Sequence, residues 1–319
     1  MGPYLDIKRI EFIITYRCNS HCKHCLIDAG KRRSKPTAID IDLATSVINE
    51  ITGIYSPESI MTFGGEPLLY PEVVCAIHHA AKSRGIDQRE VITNAGWPPN
   101  EDKFRAIALQ LVESGVTQIA VSVDCFHQEQ VPIAVVKRNV QALLDAGLSV
   151  GWNPCWVVCK EDENIWNKQT KSVLKNLSSL PVEEKYGNVV QPAGNALDWL
   201  IDFLPARIQT PEGNCEDVPY AGRLDCVSCI SLEPTGDVSV CKEFPIGNAR
   251  KQHVGDILQD YDPHKIPEME AILSGGVTEL EKFAYQQEVK ANAHGYFSIC
   301  DKCIDLRRRL RTSGKSQDC

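Results

Sequence analysis

Two rhythms of apolar and polar positions alternate along the chain up to about residue 196. Residues 10–16 and 59–63 are near-continuous apolar runs of strand length, the signature of strands covered on both faces. Between them Ala44, Val47, Ile48 and Ile51 recur at helical spacing, with Asp40 or Asp42 available as the cap. Pro71 takes a first helical position, and Val73, Val74, Ile77 and Ala81 share one face of that helix before Gly85 ends it. A third strand is predicted over Glu90 to Asn94. A third helix starts near Asn100, turns Phe104, Ile107, Ala108 and Leu111 inward, and stops at Gly115. Ile119, Val121 and Val123 alternate in a fourth strand, and Pro132 opens a helix striped by Ile133, Val136, Val140 and Leu143. A fifth strand over Val150 to Val158, a helix over Asn164 to Leu177 and a sixth strand over Asn188 to Gln191 complete the series.

Strand–helix units in this order predict an α/β fold with parallel strands, right-handed crossovers and a partial (β/α)6 barrel. In such a barrel the reactive groups gather at the C-terminal ends of the strands. Composition changes near residue 205, where Pro205, Pro211, Gly213, Pro219 and Gly222 mark an irregular stretch. We therefore expect a barrel over residues 1–204 and an extension over 205–319. That extension opens with a hairpin, Ile230 to Glu233 and Val238 to Cys241 flanking Pro-Thr-Gly-Asp.

The 319-residue chain is 43 % hydrophobic and 24 % charged, ordinary for a globular protein with a large core. Its net charge of −8 argues against nucleic acid as a partner. Basic residues cluster only at Lys31, Arg32 and Arg33 and at Arg307 to Arg309 with Arg311, which read as solvated faces. No apolar run is long enough to span a membrane, so no membrane partner is expected. Asp6, Lys8, Arg9 and Glu11 interrupt any signal-peptide pattern. Fourteen cysteines in such a chain suggest metal ligation in a reducing cytoplasm rather than disulfides.

Cys18, Cys22 and Cys25, written C-N-S-H-C-K-H-C, bring three thiols together just after the first apolar run. A four-iron cluster has four corners, each normally held by a cysteine. A loop supplying three leaves one iron open, and open coordination usually marks a reactive centre. A zinc knuckle is the competing reading of C-x2-C. After one helical pattern the chain reads S-I-M-T-F-G-G-E-P, with Gly64, Gly65, Glu66 and Pro67 closing the second strand. Together these motifs resemble the radical S-adenosylmethionine (radical SAM) superfamily, which carries C-x3-C-x2-C after its first strand and G-G-E-P after its second.

The resemblance implies a [4Fe–4S] cluster on Cys18, Cys22 and Cys25 whose free iron chelates S-adenosylmethionine. It implies that Gly64, Gly65 and Glu66 receive the methionine amino group, with His24 at a position usually aromatic and near adenine. Asn94 with Thr93, Ser122 with Asp124, and Asn153 resemble the family's ribose and carboxylate contacts. Asp124 and its neighbours could equally cap the helix that follows. Asn195, in the segment after the sixth strand, stands where the family usually carries arginine. Cys75, Cys125, Cys155 and Cys159 read as small hydrophobes, with Cys155 and Cys159 also placed to face the lumen.

Cys226-Val-Ser-Cys229, Gly236 with Cys241, and Cys300-Asp-Lys-Cys303 resemble the SPASM/twitch extension. The resemblance implies a second, auxiliary [4Fe–4S] cluster on Cys241, Cys300, Cys303 and one of Cys226 and Cys229, of which Cys229 is chosen because it lies next to the hairpin strand, with zinc as the alternative metal. Cys215 and the spare Cys226 then become candidate hydrogen-atom donors across the substrate. Only Cys319 follows the last pair, so a single auxiliary cluster is expected.

The resemblance implies hydrogen abstraction from a substrate C–H bond by a 5′-deoxyadenosyl radical. Ribosomal-peptide (RiPP-type) maturation by epimerisation or cross-linking is the leading expectation. Epimerisation or dehydrogenation of a sugar, aminoglycoside or other small natural-product intermediate is the alternative. A non-catalytic iron–sulfur or zinc protein is the reading from another class, although it gives Gly64 to Pro67 no role. The partners implied are the substrate and a low-potential electron donor such as flavodoxin or ferredoxin.

Overall fold

Hydrophobic periodicity and helix-start residues account for most of the elements in the computed structural model, which describes residues 3–26, 38–98, 100–185, 187–218, 221–241 and 244–314. The elements are β1 (Leu5–Thr15), α1 (Ile41–Ile54), β2 (Ser59–Gly64), α2 (Pro71–Ser83), β3 (Gln88–Thr93), α3 (Glu101–Ser114), β4 (Gln118–Ser122) and the short α4 (Cys125–Gln128). There follow α5 (Ile133–Asp145), β5 (Ser149–Asn153), β6 (Cys155–Trp156), α6 (Ile165–Leu177), β7 (Glu183–Glu184), β8 (Asn188–Val189) and α7 (Ala196–Trp199). The remainder is β9 (Val227–Leu232), β10 (Asp237–Cys241), β11 (Phe244–Asn248), α8 (Val254–Asp260), α9 (Pro267–Gln286) and α10 (Ile299–Thr312).

The chain divides into two compact units. The larger holds residues 8–204 with 232–236, and the smaller holds 1–7, 205–231 and 237–319. In the larger unit β1, β2, β3, β4, β5 and β7 pair in that order, every pair parallel. Parallel neighbours need a crossover, and α1, α2, α3 and α5 supply it between successive strands. Ile10, Phe12 and Ile14 of β1 and Val91 of β3 are fully buried, as are Ala44, Ile48, Val74, Ile77, Ala108 and Leu111 on the helices. This is a partial α/β barrel, since the ladder runs from β1 to β7 without closing.

Caps fix where the helices begin. Asp40 accepts from the Leu43 N–H at 2.9 Å, Asn100 from Lys103 at 2.9 Å, and Asn164 from Asn167 at 2.9 Å. Two expectations need correction. The fifth strand ends at Asn153, because Pro154 has no N–H to continue the ladder. Beyond it, β6 pairs with β8 as a separate two-stranded ribbon, so Asn188 to Gln191 is not the sixth strand of the main sheet. That place goes to β7, with Gly151 opposite Glu183.

In the smaller unit β10 and β11 form an antiparallel pair, and the Val227 N–H donates to the Tyr4 carbonyl at 2.8 Å. Helix α10 is capped by Ser298, which accepts from Asp301 at 3.1 Å. Arg307 is buried, with its guanidinium 3.3 Å from the centroid of Phe244, so it is not part of a solvated basic face. Lys31, Arg32, Arg33, Pro219 and Cys319 lie outside the described residues. Among the described residues no helix is long and apolar enough to cross a membrane.

Candidate functional site

Thr15, Gly64, Thr93, Ser122 and Asn153 end the five longest strands of the larger unit, and the cysteine loop starts at the first of these ends. Arg17 turns the chain by donating its N–H to Thr15 Oγ1 at 3.0 Å. Cys25 N–H then donates to the Cys22 carbonyl at 3.1 Å, closing the tight turn that carries the second and third thiols.

The glycine pair locks this loop to the second strand. Gly65 N–H donates to the Thr15 carbonyl at 2.7 Å, and Glu66 N–H to the Arg17 carbonyl at 2.8 Å. A methyl group on Gly65 would lie 1.9 Å from the Arg17 carbonyl oxygen, so only glycine fits there. The close approach that needs glycine is therefore made to the root of the cysteine loop.

Glu66 is wholly buried. Its Oε1 accepts from the Leu68 N–H at 3.0 Å and from Thr93 Oγ1 at 2.7 Å, and its Oε2 accepts from the Asn94 N–H at 2.9 Å. Burial holds its pKa above the ordinary carboxylate value despite these donors. The carboxylate thus clamps the ends of β2 and β3 together. Asn94 carries the clamp onward, since its Nδ2 donates to Asn19 Oδ1 at 2.8 Å and lies 3.8 Å from Cys18 Sγ.

From the opposite side Asn195 holds the same loop. Its N–H donates to the Cys25 carbonyl at 3.0 Å and its Nδ2 to the Cys22 carbonyl at 3.0 Å. Gly194, at φ +58°, lets that segment approach, because a methyl group there would sit 2.4 Å from the Cys25 oxygen. Asparagine therefore binds main chain at a position where the resemblance led us to look for arginine.

Cys18 feels the Cys25 thiol, and Cys22 feels both of the others. Burial pushes the Cys18 pKa up to about 12, with Glu66 and Cys25 adding to it. Cys22 is raised further, by burial first and then by Asp124, Cys18 and Cys25. Cys18 and Cys22 therefore give up their protons readily only when positive charge is supplied, which is what an iron cluster brings to its thiolates. The donor set fits the group.

His24 sits with its ring centroid 4.8 Å from those of both Phe126 and His127. Burial lowers its pKa to about 4, keeping it neutral. Its Nδ1 is buried without a hydrogen-bond partner among the described residues. Ser122 and Asn153 stand side by side in register, both half-buried. Asn153 Oδ1 accepts from Asn188 Nδ2 at 3.2 Å.

Asp124 resolves as the cap of α4. Its Oδ1 accepts from the Phe126 and His127 N–H groups at 3.0 and 2.9 Å, while Oδ2 accepts from His127 Nδ1 at 2.9 Å and from the Cys155 N–H at 3.1 Å. Burial opposes its ionisation, yet His127 and His24 hold it well below the usual carboxylate range. His127 is shifted the other way: burial works against its charge, but Asp124 and Glu66 raise its pKa. Donor atoms of His24, Asp124 and His127 lie within 4.8 Å of one another. Both Asp124 oxygens are already occupied, so this is a hydrogen-bonded network rather than a metal centre. Sequence reasoning missed His127, whose only signal is its place three residues after Asp124 in a four-residue helix.

Cys125 and Cys155 are buried in an apolar cluster with Cys22, Phe126, Val157, Ala196 and Leu200, which fits a packing role. Cys159 is exposed and Cys75 half-buried. In the smaller unit Cys215, Cys229, Cys241, Cys300 and Cys303 are half-buried and Cys226 is exposed.

A parallel α/β partial barrel with a three-thiol loop at one strand end and a glycine-rich loop at the next defines a metallocofactor protein of the barrel type. Residues 12–166, a little under half of the chain, match the family model described as Radical SAM superfamily. Among curated relatives it is 24 % identical over 155 residues to GTP 3′,8-cyclase of Moorella thermoacetica, covering 47 % of this chain and 45 % of that one. It is 30 % identical over 160 residues to GTP 3′,8-cyclase of Microcystis aeruginosa, covering 47 % of this chain and 46 % of that one. The chain thus spans a little under half the length of these relatives. A solved structure of anSMEcpe with bound AdoMet superposes with a TM-score of 0.55 at 12 % identity, covering 98 % of this chain and 96 % of the other, a likeness of fold.

Proposed function

We propose that this protein is an adenosyl-radical enzyme that binds a [4Fe–4S] cluster through Cys18, Cys22 and Cys25 and abstracts a hydrogen atom from a substrate C–H bond. The observation that carries the reading is the double lock on the cysteine loop, Gly65 and Glu66 on one side and Asn195 on the other. When bound, the cluster supplies one electron to S-adenosylmethionine, whose C5′–S bond breaks to give methionine and the 5′-deoxyadenosyl radical. The protein's share is placement. Glu66 and Asn94 fix the loop beside Cys18, and His24 with Phe126 forms an apolar wall next to it. Ser122 and Asn153 present half-buried polar groups at neighbouring strand ends for the cofactor.

A substrate C–H bond held beside the site would give up its hydrogen atom to that radical, releasing 5′-deoxyadenosine. A peptide substrate is supported by an apolar strip beside the loop: Trp199 is 62 % exposed, with Ile201 at 45 % and Phe203 at 38 %. Lys23, within the cysteine loop, sits 4.9 Å from the Trp166 ring centroid and 6.0 Å from that of Trp199. Epimerisation or cross-linking of such a peptide is the leading outcome, with Cys226 as candidate hydrogen donor because its thiol is exposed. The curated relatives, named for cyclising GTP, support a small-molecule substrate as the second reading. A second [4Fe–4S] cluster in the smaller unit and a low-potential donor such as flavodoxin or ferredoxin complete the proposal.

The test is anaerobic incubation of reconstituted protein with S-adenosylmethionine and dithionite. Production of 5′-deoxyadenosine that is lost in Cys22→Ala supports the reading. Its absence from the iron-loaded wild type overturns it. Solvent deuterium entering a candidate peptide in the wild type, but not in Cys226→Ala, would identify epimerisation.

A further inference from the structure

The smaller unit gathers four cysteines from three separate segments. Cys300 and Cys303 lie in the first turns of α10 three residues apart, hence on one face. A helix N-terminus favours thiolate there, through its unpaired N–H groups and dipole. Four residues beyond Cys303, Arg307 lays its guanidinium on Phe244, and Phe244 is the register partner of Cys241 across the β10–β11 pair. This contact brings the end of β10 to the thiol-bearing face of α10.

The segment preceding the hairpin reaches the same place. Lys302 Nζ donates to the Pro211 carbonyl at 3.3 Å, and a methyl group on Gly213 would lie 2.8 Å from Ile299 Cδ1. Val277 N–H donates to the Gly213 carbonyl at 3.0 Å, fixing the segment against α9 as well. Cys215 opens the 3-10 turn that follows, closed by Asp217 Oδ2 accepting from the Asn214 N–H at 2.7 Å. There Cys215 lies within electrostatic reach of the Cys241, Cys303 and Cys300 thiols. Tyr261 feels both Cys241 and Cys215, so these two sulfurs share one neighbourhood.

We infer that Cys215 joins Cys241, Cys300 and Cys303 as the fourth ligand of the auxiliary cluster, in place of Cys229. The inference rests on the proposed second cluster and reassigns one of its corners. It removes Cys215 from the candidate hydrogen donors, because a thiolate committed to iron has no S–H to give. Cys229 Sγ lies 4.0 Å from the carbonyl oxygen of its own neighbour, Ile230.

The experiment uses the full chain, reconstituted anaerobically, with iron and sulfide counted per chain. Cys215→Ala is expected to lose about half the iron, one of two four-iron clusters, while Cys229→Ala keeps all of it. The reverse pattern overturns the assignment. To separate this from folding failure, alkylation is mapped on wild-type protein. Cys215 should be protected until a chelator strips the iron, whereas exposed Cys226 reacts throughout. Reaction of Cys215 in the iron-loaded protein overturns the assignment too. A Cys18→Ala/Cys22→Ala/Cys25→Ala variant that binds no iron would sink the second cluster itself, a distinct failure.

Discussion

The side-chain amide of Asn195 donates to the main-chain carbonyl of Cys22 across 173 residues of sequence, at 3.0 Å. Replacing it with Asp removes the donor and sets a carboxylate against the Cys22 carbonyl oxygen it now serves. One hydrogen bond of this kind is worth about 1 kcal/mol, or about fivefold in iron affinity. Asn195→Asp should therefore lose iron bound by Cys18, Cys22 and Cys25 at several-fold lower chelator concentration than the wild type, while iron of the proposed second cluster is unchanged. Equal retention would show that the loop holds itself.

Gly65→Ala should fail to load the first cluster at all, since the added methyl meets the Arg17 carbonyl backbone at 1.9 Å. Gly53→Ala is the informative contrast. That glycine is exposed within α1 with nothing inside 4 Å of the added methyl, so it should stabilise the fold by about 0.5–1 kcal/mol. Iron content for the first variant and chemical denaturation for the second check the pair.

Glu66→Gln would place an amide N–H₂ where both carboxylate oxygens now accept hydrogen bonds. A buried donor facing a donor costs about 1–3 kcal/mol, so the denaturation midpoint should fall. Loop order should suffer with it, read as slower cluster reconstitution. Unchanged stability would mean the clamp carries no energy.

His78 is fully buried against Thr62 Oγ1 at 2.9 Å. Burial, with Arg89 adding to it, lowers its pKa to about 3. Between pH 6.5 and 3 the unfolded chain binds a proton that the folded one refuses, so stability falls as pH falls through that window. The slope is at most about 1.4 kcal/mol per pH unit. A His78→Gln variant should show a shallower acid limb in a stability–pH profile, and identical limbs would refute the assignment.

Much of this architecture is written in local pattern. The Asp40, Asn100 and Asn164 caps and the Gly115 stop at φ +90° stand where side-chain chemistry alone places them. The cysteine and glycine motifs were legible because their spacing is dictated by backbone contact. Other features depend on distant partners. Nothing in two exposed glutamates, Glu183 and Glu184, announces a strand; only the free edge of β5 makes them one. The Val150 to Val158 run reads as continuous because apolar composition masks the missing donor at Pro154. Burial works against a charge on His127 while Asp124 and Glu66 raise its pKa, and Glu66 is far away in sequence. The neighbours of Cys215 come from β10 and α10, beyond the reach of any spacing rule.

Pro154 also divides labour along one rim of the larger unit. Up to Asn153 each residue belongs to a ladder shared with β4, so a shift in one strand is resisted by its neighbour. After it the chain runs as the ribbon Cys155–Trp156 with Asn188–Val189, whose ladder is its own. Insertions or exchanges there leave the main sheet's rungs intact. Evolution can retailor that margin for a new guest without disturbing the floor beneath it.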